Sequence, residues 1–205
     1  TVTGAAGQVR TDGAVDLALR LNRSLRDTVL RLNDAKRVAP ALQVDQTEPC
    51  DNGVGSIRTA GTLNDATFTG TLTVTFSNCL IDGDTLNGPA TLRVDAFSFA
   101  FPQGIPSDST LRFDRLTIRG PGVSVDATGS VHLDLDFGMN SETVTTNLDT
   151  LNNNTGLTSR VEKLTFTSVY NNIFSPTSFA ASISGKVTSS SSSSSRTGSG
   201  SQGPI

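Results

Sequence analysis

Hydrophobic positions along this chain follow two rhythms. Between Ala14 and Asn33 there is no Gly or Pro, and Leu17, Leu21, Leu25, Val29 and Leu32 recur at spacings of four and three. That is the period of one helical face, and it predicts an amphipathic helix over about 13–34. Thr11 or Asp12 can cap its start. Asp12 and Asp16 sit near the positive end of its dipole, Arg31, Lys36 and Arg37 near the negative end, and Pro40 follows its stop. From Gly53 to about Val187 the period shortens to two. In ATFTGTLTVTF, Phe68, Leu72, Val74 and Phe76 fall on one side and Thr67, Thr69, Thr71, Thr73 and Thr75 on the other. This is the pattern of an antiparallel strand with one buried face and a Thr-lined outer face.

Turn signals divide the rest. Asp82-Gly83 predicts a two-residue hairpin. The returning strand holds Leu86, Ala90, Leu92 and Val94 on one parity, then Phe97, Phe99 and Phe101 on the other, which predicts a bulge or bend near Ala96. FPQGIPSD reads as a loop, and a second slip separates Leu111 and Phe113 from Leu116 and Ile118. After GPG, one parity persists from Val123 to Phe137, so either that strand is long or Gly129 kinks it. NNNTG reads as a turn, and VEKLTFTSVY and FAASISGKV as the last two strands. Short sequential connections make a meander the simplest topology. The fold class expected is mainly β: an antiparallel meander sheet, sandwich or partly open barrel of about eight to ten strands. The N-terminal helix would pack on this sheet or on a neighbouring subunit. The chain divides into a helical segment (1–45), a β domain (46–188) and a Ser/Gly-rich tail (189–205).

Composition narrows the function. Hydrophobic residues make up 35%, with 10 Phe, 1 Tyr and no Trp, so the core is thin, as in a sheet with one buried face. The net charge is −3. The basic residues cluster only in the first quarter, among leucines and acids, which argues against a nucleic-acid partner. No apolar run is long enough to span a bilayer. The opening TVTGAAGQVR carries no initiator Met and no signal-type apolar run, and reads as the start of a processed chain without a lipid anchor.

Residues capable of chemistry are few. Cys50 and Cys79 form no CxxC and have no His cluster nearby; a disulfide between them is expected, and with it an oxidising compartment. His132, Asp134 and Asp136 project from one side of a strand, but an H-x-D-x-D row converges poorly on a metal without ligands from a second strand, so it reads as a solvated face. Asp82, Asp84 and Asn87 lack the ligand order of a calcium loop and fit a hairpin. No nucleophile has a base and an orienting group beside it, no nucleophile elbow or phosphate loop is present, and the chain is read as a non-enzyme without metal or cofactor. Asn22-Arg23-Ser24 and Asn153-Asn154-Thr155 match the N-glycosylation pattern. The first lies in the expected helix; the second, in an expected surface turn, makes Asn153 the candidate, and the Ser run is a candidate for O-linked sugar.

The segment GTLTVTFSNCLIDGDTLNGPATLRV places Phe76, Asn78 and Cys79 at the end of a Thr-rich strand, then a turn, then Leu86, Asn87 and Gly88. Over about an eighth of the chain this resembles a group of β-rich secreted and envelope proteins of bacteria that carry no assigned activity. The resemblance implies an envelope or extracellular address and an antiparallel sheet. Taken with the disulfide, the Thr-rich strands and the low-complexity ends, the expected function is a structural subunit of an extracellular fibre or surface appendage, built from copies of itself. Val187, Thr188 and Ser189 are the candidate assembly segment, able to add an edge strand to a neighbour. The alternative is an envelope protein that holds a lipid or other apolar ligand between sheet and helix. An adhesive sugar-binding module is disfavoured by the missing Trp.

Overall fold

The structure is a computed structural model that describes residues 42–81, 83–99, 105–173, 175 and 177–190. The helix expected over 13–34, Asn22 and the tail beyond Ser190 lie outside the described residues. Nine strands follow in order: β1 (Leu42–Pro49), β2 (Ser56–Leu63), β3 (Gly70–Ile81), β4 (Asp84–Ser98), β5 (Ile105–Gly120), β6 (Val123–Asp136), β7 (Ser141–Asn152), β8 (Thr158–Tyr170) and β9 (Phe179–Ser190). They form one open sheet in sequential order, each strand antiparallel to the one before it. A single 3-10 turn, Asp51–Gly53, links β1 to β2. No helix among the described residues is long and apolar enough to cross a membrane.

The turns form where the sequence places them. Ile81 pairs with Asp84, with Gly83 at φ 85° between them; Asp82 lies outside the described residues. Gly120 pairs with Val123 around Pro121-Gly122, with Gly122 at φ 72°. Asn153–Thr155 turn between β7 and β8, closed by Gly156 at φ 68°. The register shifts at Ala96 and between Phe113 and Leu116, where the hydrophobic parity slips. β6 runs unbroken through 14 residues with Gly129 at φ 152°, so this strand is both long and locally bent.

Two expectations are corrected. The strand read from Ala66 begins only at Gly70. Asn64 Oδ1 accepts bonds from the Ala66 and Thr67 amides, an Asx-type turn that competes with strand pairing. It leaves Phe68 in the loop at φ 57°, with its ring against Phe97 and Phe99. In FPQGIPSD, Ile105–Asp108 belongs to β5 rather than to a loop. Pro106 pairs with Phe97 beyond the last β5–β6 pair, Asp108–Asp134, where a missing N–H costs no ladder bond on that side.

One face of the sheet carries the core. Leu72, Val74, Phe76, Leu92, Phe113, Leu116, Ile118, Val131, Val144, Leu148 and Val161 are all buried. The irregularities that shape this face lie in a row. It starts at Asn78 on β3 (φ 47°) and crosses Gly88 on β4 (φ 130°), the slip at 113–116 on β5 and Gly129 on β6. It continues through the Asn147 position on β7, where the register shifts, to Lys163 on β8 (φ 47°) and Gly185 on β9 (φ 142°). Direct contacts join the members. A side chain at Gly88 would meet the Arg115 carbonyl, one at Gly129 the Asn147 carbonyl, and one at Gly185 the Lys163 carbonyl. The Thr128 hydroxyl donates to the Asp114 carbonyl at 2.6 Å, and Asn147 Oδ1 accepts from the Lys163 amide at 2.9 Å. Bulges and glycine kinks bend strands and increase their twist. Aligned across seven strands, they form a fold line that curves the apolar face.

Burial fails at the last strand. Ala180, Ala181, Ser182, Ile183, Ser184, Gly185 and Lys186 are all exposed, so β9 is open on both faces along this stretch, while Val187 packs partly on the core.

Candidate functional site

The cysteines meet as expected. Cys50 and Cys79 form a disulfide with 5.4 Å between their Cα atoms, and both are buried. The residues carrying the FSNC…LNG resemblance surround this bond. Asn78, held in the left-handed region, is the extra residue of a bulge between Phe76, which pairs with Gly88, and Cys79, which pairs with Leu86. Asn87 Oδ1 accepts from the Asn78 amide at 2.7 Å, and its Nδ2 donates to Asn78 Oδ1 at 2.8 Å. The bulge turns the cysteine into the core, and Leu80 then donates to the Val54 carbonyl, holding the β1–β2 loop against β3. This motif is therefore an architectural anchor. Asn87→Ala removes both bonds and is expected to cost about 1–2 kcal/mol. Equilibrium denaturation should show it, and an unchanged midpoint would mean the bulge holds without the pair.

The polar row of β6 is tied into the outer face. His132 Nδ1 lies 3.1 Å from the Thr110 hydroxyl and 3.6 Å from Asp108 Oδ1, both on β5. Asp134 is exposed, and Asp136 accepts from the Gly138 and Met139 amides to shape the β6–β7 turn. Among the described residues no three His, Cys, Asp or Glu side chains come together as a metal site. Asp84 is buried beside Gly120, and Asn87 is taken up by Asn78, so the hairpin residues serve the turn and the bulge. Asn153 is exposed in its turn, with its amide bonded to the Ser124 carbonyl.

Ion pairs link neighbouring strands on the solvent side. Arg58 reaches Asp45 at 3.0 Å and Arg160 reaches Asp149 at 2.7 Å, and each guanidinium holds its carboxyl below the usual carboxylate range. Asp126 is lowered chiefly by the Thr117 hydroxyl, with help from Arg115. Where the fold line reaches β6–β8 it leaves a shallow open depression of about 230 Å³, bordered by Thr128, Asn147, Asp149, Arg160 and Glu162. Its one guanidinium is already bound to Asp149, so the depression offers no free cation to a ligand.

Of the two edges of the described sheet, β9 is the more exposed. Val187, Thr188 and Ser189 lie in β9 and pair with Val161, Arg160 and Ser159 of β8, so the candidate assembly segment is already a strand of its own sheet. The other edge of β9 bonds to no described residue. This exposure was not visible in FAASISGKV, whose alternation reads as an ordinary half-buried strand; its single charged residue, Lys186, is the one available signal. Edge strands usually carry charges, proline or short lengths that block further pairing. β1 has Asp45, Glu48 and Pro49 within eight residues, whereas β9 runs twelve residues with Lys186 alone, held by Glu162 at 3.3 Å. Comparison of the chain with protein-family models, with curated proteins and with solved structures gives no match.

Proposed function

We propose that this chain is a structural subunit of an extracellular fibre or cell-surface appendage, assembled from copies of itself. The observation that carries the reading is β9: a long edge strand, open on both faces and along one backbone edge, with almost none of the devices that stop an edge from adding another strand. Its unpaired N–H and C=O groups complement another strand and no small molecule in particular. The disulfide suits a non-reducing, extracellular setting. Asn153 is exposed in the β7–β8 turn, and that exposure is what supports a glycan there. The apolar-ligand reading requires the helix expected over 13–34, which lies outside the described residues, and no specific observation favours it.

Electron microscopy of the native material tests the proposal. Regular filaments or surface projections containing this chain are the expected result. Discrete monomers at every concentration and salt condition would overturn it. Deleting 191–205, which leaves β9 whole, then separates the two assembly elements: persistence of the assemblies assigns the contact to β9, and their loss assigns it to the tail.

A further inference from the structure

Nine strands in sequential antiparallel order make β1 and β9 run in the same direction. This restricts how two copies can share a sheet. A second copy that continues the ladder antiparallel past β9, with its apolar face on the same side, must be related by a two-fold axis normal to the sheet. That rotation brings its own β9 to the joint. A translated copy would bring β1 instead and pair it parallel, the slightly weaker ladder. Joining β1 to β1 would put Asp45, Glu48 and Pro49 of both copies along one joint, the charges and prolines that block edge pairing. We infer that β9 is a self-complementary edge that pairs antiparallel with β9 of a second copy across a two-fold axis. The inference rests on the assembly reading above and names one of its contacts: a two-fold joint closes at two copies, so a fibre built on it needs a second contact elsewhere on the subunit.

The side chains of β9 suit that symmetry. Ile183 and Val187 lie on the apolar face, opposite Phe166 and Val161, yet Ile183 is 55% exposed. With Gly185 on the axis, Ile183 of each copy faces Val187 of the other and Lys186 faces Ser184. Apolar groups then meet across the joint, and no like charges do. Lys186 keeps Glu162 of its own chain as counter-ion. Two-fold contacts between identical patches are also the commonest route to homo-oligomers.

Sedimentation of the full chain and three variants tests this. Ser184→Lys sets like charges against Lys186 twice across the joint and is expected to weaken the dimer about tenfold or more. Adding Lys186→Glu to Ser184→Lys, with Glu162→Lys to keep the pair within each chain, turns both repulsions into attractions and should restore it. Gln43→Lys with Thr47→Lys, on exposed positions of β1, should leave the dimer unchanged. A dimer indifferent to Ser184→Lys, or not rescued by the second change, overturns the inference. If the β1 and β9 variants are each monomeric but form a 1:1 complex when mixed, the joint is head-to-tail: the inference fails and the assembly reading stands. A wild-type chain that stays monomeric throughout ends both.

Discussion

Gly129→Ala is expected to destabilise the protein by about 3 kcal/mol, from backbone strain and overpacking together. Gly129 lies mid-strand in β6 at φ 152°, a conformation that L side chains rarely adopt, and a methyl group there would overlap the Asn147 carbonyl and crowd the Leu148 backbone. Those atoms belong to the backbone of the paired strand, so no side-chain rotation relieves the overlap. Gly122→Ala is the control. Its φ is 72°, but nothing lies within 4 Å of the added atom, so only the conformational cost of about 1 kcal/mol remains. Urea denaturation of the two variants compares these terms. Equal losses would mean that β6 and β7 are not pressed together at the fold line.

Replacing Cys50 and Cys79 together with Ser should lower stability by about 2–4 kcal/mol. The bond spans 29 residues and joins the end of β1 to β3 just past its bulge. Without it the unfolded chain regains the freedom of that loop, and two hydroxyls replace sulfur at positions 4% and 0% exposed. Thermal unfolding of the oxidised protein with and without reductant gives the same comparison without mutation. An unchanged transition would assign the anchoring of the β1–β2 loop to the Leu80–Val54 hydrogen bond and the asparagine pair alone.

Much of the sheet is legible in the chain because bulges leave a mark in hydrophobic parity. The slip from Val94 to Phe97 and the slip from Phe113 to Leu116 show directly as register shifts, since a single extra residue moves every later side chain to the other face. Other bulges are hidden. At Asn78 the slip falls where the strand runs into Ser77, Asn78 and Cys79, and mimics the approach to a turn. At Lys163 the buried Val161 and Leu164 are three apart, but the mixed sequence between them gives no clear alternation to break. β1 offers only Leu42 and Val44 as apolar positions, too few to set a period, and its strand state comes from pairing with β2. The left-handed Phe68 runs against the preference of a bulky side chain and is imposed by the Asn64 turn and the neighbouring Phe rings. Val187–Ser189 read as a candidate edge strand, but the exposure of β9 on both faces is hidden for a different reason: exposure of a strand depends on what lies beside it, and local pattern does not record neighbours.

The meander also determines how the sheet can be made. Every pairing joins consecutive strands through a local connection, so contact order is low for an all-β protein and long-range loop closure is not required. Such a sheet can grow vectorially, each new strand docking on the one before it as the chain emerges. During that growth every strand in turn is the unpaired one, and each is covered by its successor. β9 is the last of the described strands, so the state that is a passing stage for the other strands persists there: among the described residues its outer edge is a growth front still competent to accept one more strand.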